Sequence, residues 1–363
     1  MVNFKKIQPS KSMAIFQKVK ELKQQGRDII SFSVGDTHFQ PSPSILSNIH
    51  TPADSYSHYT ISKGIPELRA EIAERYNTDA EDIVITNGVK QGIFYALTAL
   101  EGSTVCILDP AWLGYKETAT ICAKESLSIS LHGDWLSQLE DTSFDSLILC
   151  SPNNPDGKVF TEQEVKQIIK ICNTKGAYII FDNIYKRFDY SGKYSKSEEL
   201  ILSYERSIVT GGFSKSHAVT GFRIGYTICK DYRITDRINL LHQNIATCAP
   251  SISQYALLGL DNHDPAVEEY IKYYKENKIL VSDIIPDLQK YSPDGGFYYF
   301  LDVSDFGFDD GQTFCREALD KKGIAMVPGD AYGDYKTYVR LSFSVDRDLL
   351  TRGLTELKEF MYE

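Results

Sequence analysis

A lysine attacks a carbonyl only if part of it is neutral near neutral pH, and burial beside other cations brings that about. Lys215 has the sequence setting for this. It ends Gly212-Phe213-Ser214-Lys215, after an apolar run, and eight residues later Arg223 is the lone charge in Gly221-Phe222-Arg223-Ile224-Gly225. An isolated lysine is more often a solvated surface residue. An arginine in an apolar run, however, is costly unless an anion meets it. Asp182 ends a second apolar run, with Tyr185 three residues on. Such an acid could equally cap a helix. As chemistry, a buried carboxylate keeps a heterocyclic nitrogen protonated, and a protonated ring accepts electrons. Arg340 stands inside the strand-like Tyr338-Val339-Arg340-Leu341-Ser342. It either faces solvent from a half-exposed strand or grips a carboxylate with both arms of its guanidinium. Asn87-Gly88-Val89-Lys90 opens a helical pattern whose first N–H groups could hold an anion.

These residues need a frame. Apolar runs at Ile83–Thr86, Thr104–Leu108, Ser126–Ser130, Ser146–Cys150, Tyr178–Phe181, Ser207–Gly211 and Ile224–Cys229 read as strands buried on both faces. Helical patterns lie between several of them. Thr161–Cys172 carries a Thr161/Glu164 capping box and an apolar face of Val165, Ile168, Ile169 and Cys172. Another helix starts at Pro66 and buries Leu68 and Ile72. The alternation predicts an α/β fold with a mostly parallel sheet of seven strands. Ser151-Pro152-Asn153-Asn154-Pro155, Asp182-Asn183-Ile184-Tyr185 and Gly212-Phe213-Ser214-Lys215 each follow a strand. Ligands bind at that rim, so the three segments point to one site. The ends differ. Residues 11–25 read as an amphipathic helix closed by Gly26, and strand-like runs recur at Phe297–Val303, Ile324–Val327 and Thr337–Phe343. We expect residues 41–240 to form a large domain, and 1–40 with 241–363 a smaller α/β one.

The chain has 363 residues, 42% of them hydrophobic and 24% charged, with a net charge of −10. That balance fits a globular protein and disfavours nucleic acid, which needs clustered Lys and Arg. The seven cysteines are scattered and form no C-x-x-C pair, so neither a disulfide framework nor a structural metal site is expected, and a cytoplasmic location is. No secretory leader or membrane span is apparent.

Taken together, the segments around Lys215, Asp182, Asn154 and Arg340 resemble the class I/II aminotransferases, pyridoxal 5′-phosphate (PLP) enzymes of fold type I. The nearest resemblance is to the bacterial aspartate/aromatic branch. It implies that Lys215 carries PLP as a Schiff base, and that Arg223 and Ser214 bind its phosphate. Asp182 would pair with the ring nitrogen, and Tyr185 and Asn154 with the ring oxygen. Trp112, in Asp109-Pro110-Ala111-Trp112, would stack on the ring. Gly88, Val89 and Lys90 would form the phosphate loop. Arg340 and Gly35 would bind the substrate carboxylate together with Asn154. Tyr59 matches a tyrosine that reaches the phosphate of a neighbouring subunit, which implies a homodimer with shared sites. Gly295-Gly296-Phe297-Tyr298 matches a strand near the site. The chain departs from the family pattern at Gly212, Asn183, Asp156, Thr37 and His38.

The implied reaction moves an amino group between an L-amino acid and a 2-oxo acid. Gly88-Val89-Lys90-Gln91-Gly92 is similar to a branch in which the lysine is linked to acidic substrates, so aspartate or glutamate is the expected donor, with Lys90 as a substrate contact. The same fold and cofactor residues also serve C–S lyases, decarboxylases and other biosynthetic enzymes acting on unusual amino acids.

Overall fold

The computed structural model describes residues 7, 9, 11–49, 56–260 and 264–363. The start of the expected small domain lies outside them. β1 (Ile30–Ser31) is followed by β2 (Ile83–Thr86), β3 (Thr104–Asp109), β4 (Glu125–Ser130), β5 (Ser146–Cys150), β6 (Tyr178–Asp182), β7 (Ser207–Gly212) and β8 (Gly225–Ile228). Among the described residues, the last seven form one sheet in the order β2-β8-β7-β6-β5-β3-β4. β3 to β7 pair in parallel. β8 is antiparallel to both its neighbours. Only Phe213–Ile224 separates β7 from β8, and no helical crossover forms in that stretch, so the chain returns directly and antiparallel.

The strands are short and apolar because both faces are covered. Val84, Val105, Ile107, Ile148, Ile180 and Ile208 pack into one core cluster. Their neighbours Ile83, Ile85, Cys106, Leu147, Ile179 and Val209 pack into the other. Each such side chain contributes about 1.5–3 kcal/mol when buried. The helix Glu162–Lys175 has the expected capping box, Thr161 with Glu164, and Gly176 in the left-handed conformation at its end. Such a cap is worth about 1 kcal/mol. The helix Pro66–Tyr76 buries Leu68 and Ile72, and Lys11–Gln24 buries Val19 and Leu22.

Toward the C-terminus lie β9 (Tyr298–Asp302), β10 (Ile324–Ala325), β11 (Val327–Pro328) and β12 (Tyr338–Ser342). β11, β12 and β9 form an antiparallel sheet. β10 pairs with β1 instead. The run expected as one strand at Ile324–Val327 is therefore two, because its halves have different partners. The helix Tyr232–Ile245 crosses residue 240, so a boundary drawn there falls inside one element. The first core cluster continues from the large sheet through Tyr298, Leu301, Val339 and Leu341, which ties the C-terminal strands to it. No helix among the described residues is long and apolar enough to cross a membrane.

β3 leads outward to β4, and the chain then returns to β5 on the other side of β3. The strand order reverses between β3 and β5, and a crevice opens at such a reversal.

Candidate active site

That crevice holds a cavity of about 290 Å³ whose lining includes Gly35, Val89, Lys90, Trp112, Asn154, Asp182, Tyr185, Ser214, Lys215, Arg223 and Arg340. The structure thus brings most of the expected residues to one wall. Each arrives from the end of a strand, the start of a helix or a loop beside one, except Arg340, which stands in the middle of β12.

Lys215 sits in the turn after β7, where His217 N donates to Phe213 O (2.9 Å) and Val219 N to Ser214 O (3.2 Å). Its Nζ donates to Gly35 O at 2.6 Å. Burial lowers its pKa to about 8; Asp36 opposes this, Arg223 and Arg340 reinforce it, and Asp182 opposes it weakly. The amine is therefore partly neutral close to physiological pH.

Asp182 is the last residue of β6 and only 4% exposed. Tyr115 donates to its Oδ2 at 2.7 Å and Ile184 N to its Oδ1 at 3.1 Å. Burial raises its pKa to about 6 despite these two bonds and the charge of Lys215. The Tyr185 hydroxyl lies 2.9 Å from that of Tyr298.

Arg340 does not face solvent. It is 3% exposed, its Nη1 donates to Asn154 Oδ1 (3.1 Å) and its Nη2 to Ser33 O (2.8 Å). Its buried Nε has no partner. An unpaired donor on a buried cation is costly, and a carboxylate would satisfy it.

Arg223 corrects the sequence reading. It is exposed rather than enclosed by its apolar neighbours in sequence, because a 3₁₀ turn, Thr220–Phe222, precedes it and it adopts a left-handed φ of 56°. Its Nη1 donates to Thr220 O at 2.8 Å. Gly88, with φ of 82°, caps the helix Val89–Ala99. A Cβ at Gly88 would lie 2.5 Å from Arg223 Nη2, and the left-handed φ itself favours glycine, so glycine here lets the guanidinium lie beside the helix start. The first N–H groups of a helix have no intrahelical partner. With Arg223 they form a cradle suited to a phosphate.

Lys90 Nζ lies 4.8 Å from the centre of the Trp112 ring. Partial burial lowers its pKa, and Arg223 adds to this. Tyr59 is the expected residue the structure does not bring in: it is 85% exposed and lines no part of this cavity. Sequence reading missed Tyr115 as the partner of Asp182. Its place in the first turn of the helix Gly114–Ile121, three residues after Trp112, is the signal that could have found it. Tyr298 was noted only as part of a motif. Asp36, Ser12 and Met13 went unassigned, although Ser12 and Met13 also line the cavity. Among the described residues no cluster could hold a metal ion.

Comparison with known proteins agrees with this geometry. Residues 27–357 match the family model for aminotransferase class I and II. A (5-formylfuran-3-yl)methyl phosphate transaminase from Methanocaldococcus jannaschii is 30% identical, over 99% of this chain and 98% of its own. An aspartate aminotransferase from Thermotoga maritima is 29% identical, over 97% and 96%. The crystal structure of an aspartate aminotransferase from Thermotoga maritima superposes with a TM-score of 0.90 at 26% identity, covering 99% of both chains. The chain belongs to the class I and II aminotransferases, enzymes of fold type I. Its activity is amino-group transfer.

Proposed function

We propose that this aminotransferase works with PLP held on Lys215, and that it transfers the amino group of an L-amino acid, aspartate or glutamate, to a 2-oxo acid. The observation that carries this is the convergence of a partly neutral lysine, a buried carboxylate and an arginine with an unpaired Nε on one cavity. The residues fit the cofactor: the glycine-made cradle at Gly88, the helix start at Val89 and Lys90, Ser214 and Arg223 suit its phosphate, and Asp182 suits its ring nitrogen.

PLP, when bound, supplies a carbonyl that exchanges amines and a ring that accepts electrons released at the substrate's Cα. The protein does the rest. Arg340 and Asn154 bind the substrate carboxylate, which relieves the unpaired Nε. Lys215, with its pKa near 8, takes up the Cα proton at Nζ. Asp182 stays ionised opposite a cation, since a positive neighbour lowers its raised pKa. Tyr185 would hydrogen-bond the ring oxygen through its hydroxyl, and Trp112 would cover one face of the ring. Fixing the reactants in this way lowers the barrier by orientation.

An acidic donor is supported by Lys90 on the cavity wall and by relatives named aspartate aminotransferase. Tyr59, Ile61, Leu240, Ile245 and Ile252 are exposed apolar side chains. Ser62 Oγ donates to Asn239 Oδ1 at 2.8 Å and Gln254 Nε2 to Thr60 Oγ1 at 3.2 Å, so the loop carrying Tyr59 sits on the helices that carry the others. A patch of this kind suits a second copy of the chain, with Tyr59 completing the partner's site. The two-domain division is retained, with its second boundary moved beyond Ile245. Seven unpaired cysteines suit a reducing cytoplasm.

A half-reaction screen tests the function. PLP-loaded protein is mixed with each of a panel of amino acids, and absorbance is followed from the aldehyde-form band to the amine-form band. Conversion by aspartate or glutamate, reversed by a 2-oxo acid, is expected. Product formation with the aldehyde form retained throughout would overturn transamination.

A further inference from the structure

We propose that Tyr298 is a positioning residue that couples Arg340, which binds the substrate carboxylate, to Tyr185, which bonds the ring oxygen. The inference rests on the roles proposed above for those two residues.

The placement follows from strand register. β9 and β12 are antiparallel, with Arg340 opposite Phe300 and Ser342 opposite Tyr298. Tyr298 and Arg340 are therefore diagonal neighbours on one face of the sheet, within reach of a long side chain. The Arg340 guanidinium lies 4.2 Å from the centre of the Tyr298 ring. A second ring, Tyr332, lies 5.2 Å from it. Cation–π contact is strongest where water is excluded, and Tyr298 and Arg340 are only 1% and 3% exposed.

The other end of Tyr298 reaches the chemistry. Its hydroxyl is 2.9 Å from that of Tyr185. A side chain at position 35 would overlap the Tyr298 hydroxyl, so glycine at 35 is what lets the hydroxyl reach Tyr185. The backbone that gives it room, Gly35, also accepts from Lys215 Nζ. A phenol has one proton to donate. If Tyr185 gives its proton to the ring oxygen, the hydroxyl pair can be joined only by Tyr298 donating to Tyr185. That donation polarises the Tyr185 O–H and makes it a better donor. The charged and titratable groups around the pair are Arg340, Asp36 and Cys150.

The test uses the PLP-loaded protein and two readouts other than turnover: the pH midpoint of the cofactor's visible band, and the dissociation constant of the unreactive dicarboxylate maleate. Tyr298→Phe keeps the ring and removes the hydroxyl. It should raise the midpoint by about half a pH unit, because a weaker Tyr185 donor leaves more negative charge on the ring oxygen to retain a neighbouring proton. Maleate binding should stay within about twofold. Tyr298→Leu should raise the midpoint similarly and also weaken maleate about tenfold. In a Tyr185→Phe background, Tyr298→Phe should have no further effect on the midpoint, since its path is gone. An unmoved midpoint in Tyr298→Phe, beside a shifted one in Tyr185→Phe, would overturn the coupling while leaving the function reading intact. An unmoved midpoint in Tyr185→Phe itself would overturn the role of Tyr185, and the coupling with it.

Discussion

The two edges of the large sheet each carry a cavity, and they differ in how their charges are settled. At the strands' amino ends a cavity of about 350 Å³ is lined by residues including Glu101, Asp145, Lys175, Arg206, Asp231 and Arg237. It is the larger of the two, yet its charges already have partners. Asp145 accepts from Ser103 N, Thr104 N and Thr104 Oγ1, Arg237 pairs with Glu101 at 2.9 Å, and Arg206 Nη1 donates to Gly176 O at 2.6 Å. At the carboxyl ends the charges are unsettled. Burial pushes Lys215 down to about 8 and Asp182 up to about 6, and Arg340 keeps an unpaired Nε. Volume does not mark the active site; unresolved electrostatics does.

Mutations should separate the edges. Lys215→Ala should lower amino transfer at least about 10⁴-fold in a coupled assay, because nucleophile and base are lost together. Asp182→Asn should cost about 10²–10³-fold in kcat, since the fixed charge acts where ring charge develops. Arg340→Lys should cost about 10–100-fold in kcat/KM, because an ammonium cannot form the bidentate contact. At the other edge, Asp145→Ala should lower stability by about 1–2 kcal/mol in urea unfolding and leave kcat/KM unchanged.

The same contrast predicts a stability effect of opposite sign. Asp182 has a folded pKa raised above its unfolded value, so ionising it costs stability as pH rises from about 4 through about 6. Lys215 has a lowered folded pKa, so its cost is present below about 8 and is relieved as pH rises beyond that. Between the two values both costs apply. Cofactor-free Asp182→Asn should therefore melt above the wild type at pH 7.5, by on the order of 1–3 kcal/mol of stability. The advantage should shrink to about 0.5 kcal/mol near pH 4, where Asp182 is neutral in the folded protein and about half ionised in the unfolded chain. Calorimetry at the two pH values checks this.

Much of this was legible in the sequence, for identifiable reasons. β2 and β5 matched their expected bounds because strands buried on both faces read as continuous apolar runs. Asp182 and Lys215 were found because they punctuate such runs. β1 was not legible, and β10 was read only as part of one longer strand: each is two residues long, and Ile30 pairs with Ile324 across most of the chain, where no local period carries a signal. Arg223 was misread because a left-handed turn, invisible to periodicity, lifts it to the surface. Arg340 could not be oriented from a strand pattern, since a one-residue change of register would have turned it to solvent. Tyr115 acts on Asp182 from another element, a relation of space rather than of sequence.

The central claim is that Lys215 carries the cofactor. Reducing the PLP-loaded protein with borohydride, digesting it and mapping the modified peptide by mass spectrometry tests this directly. The account predicts a pyridoxyl phosphate adduct on Lys215, absent from Lys215→Ala. An adduct on another lysine, or one that persists in the variant, would contradict it.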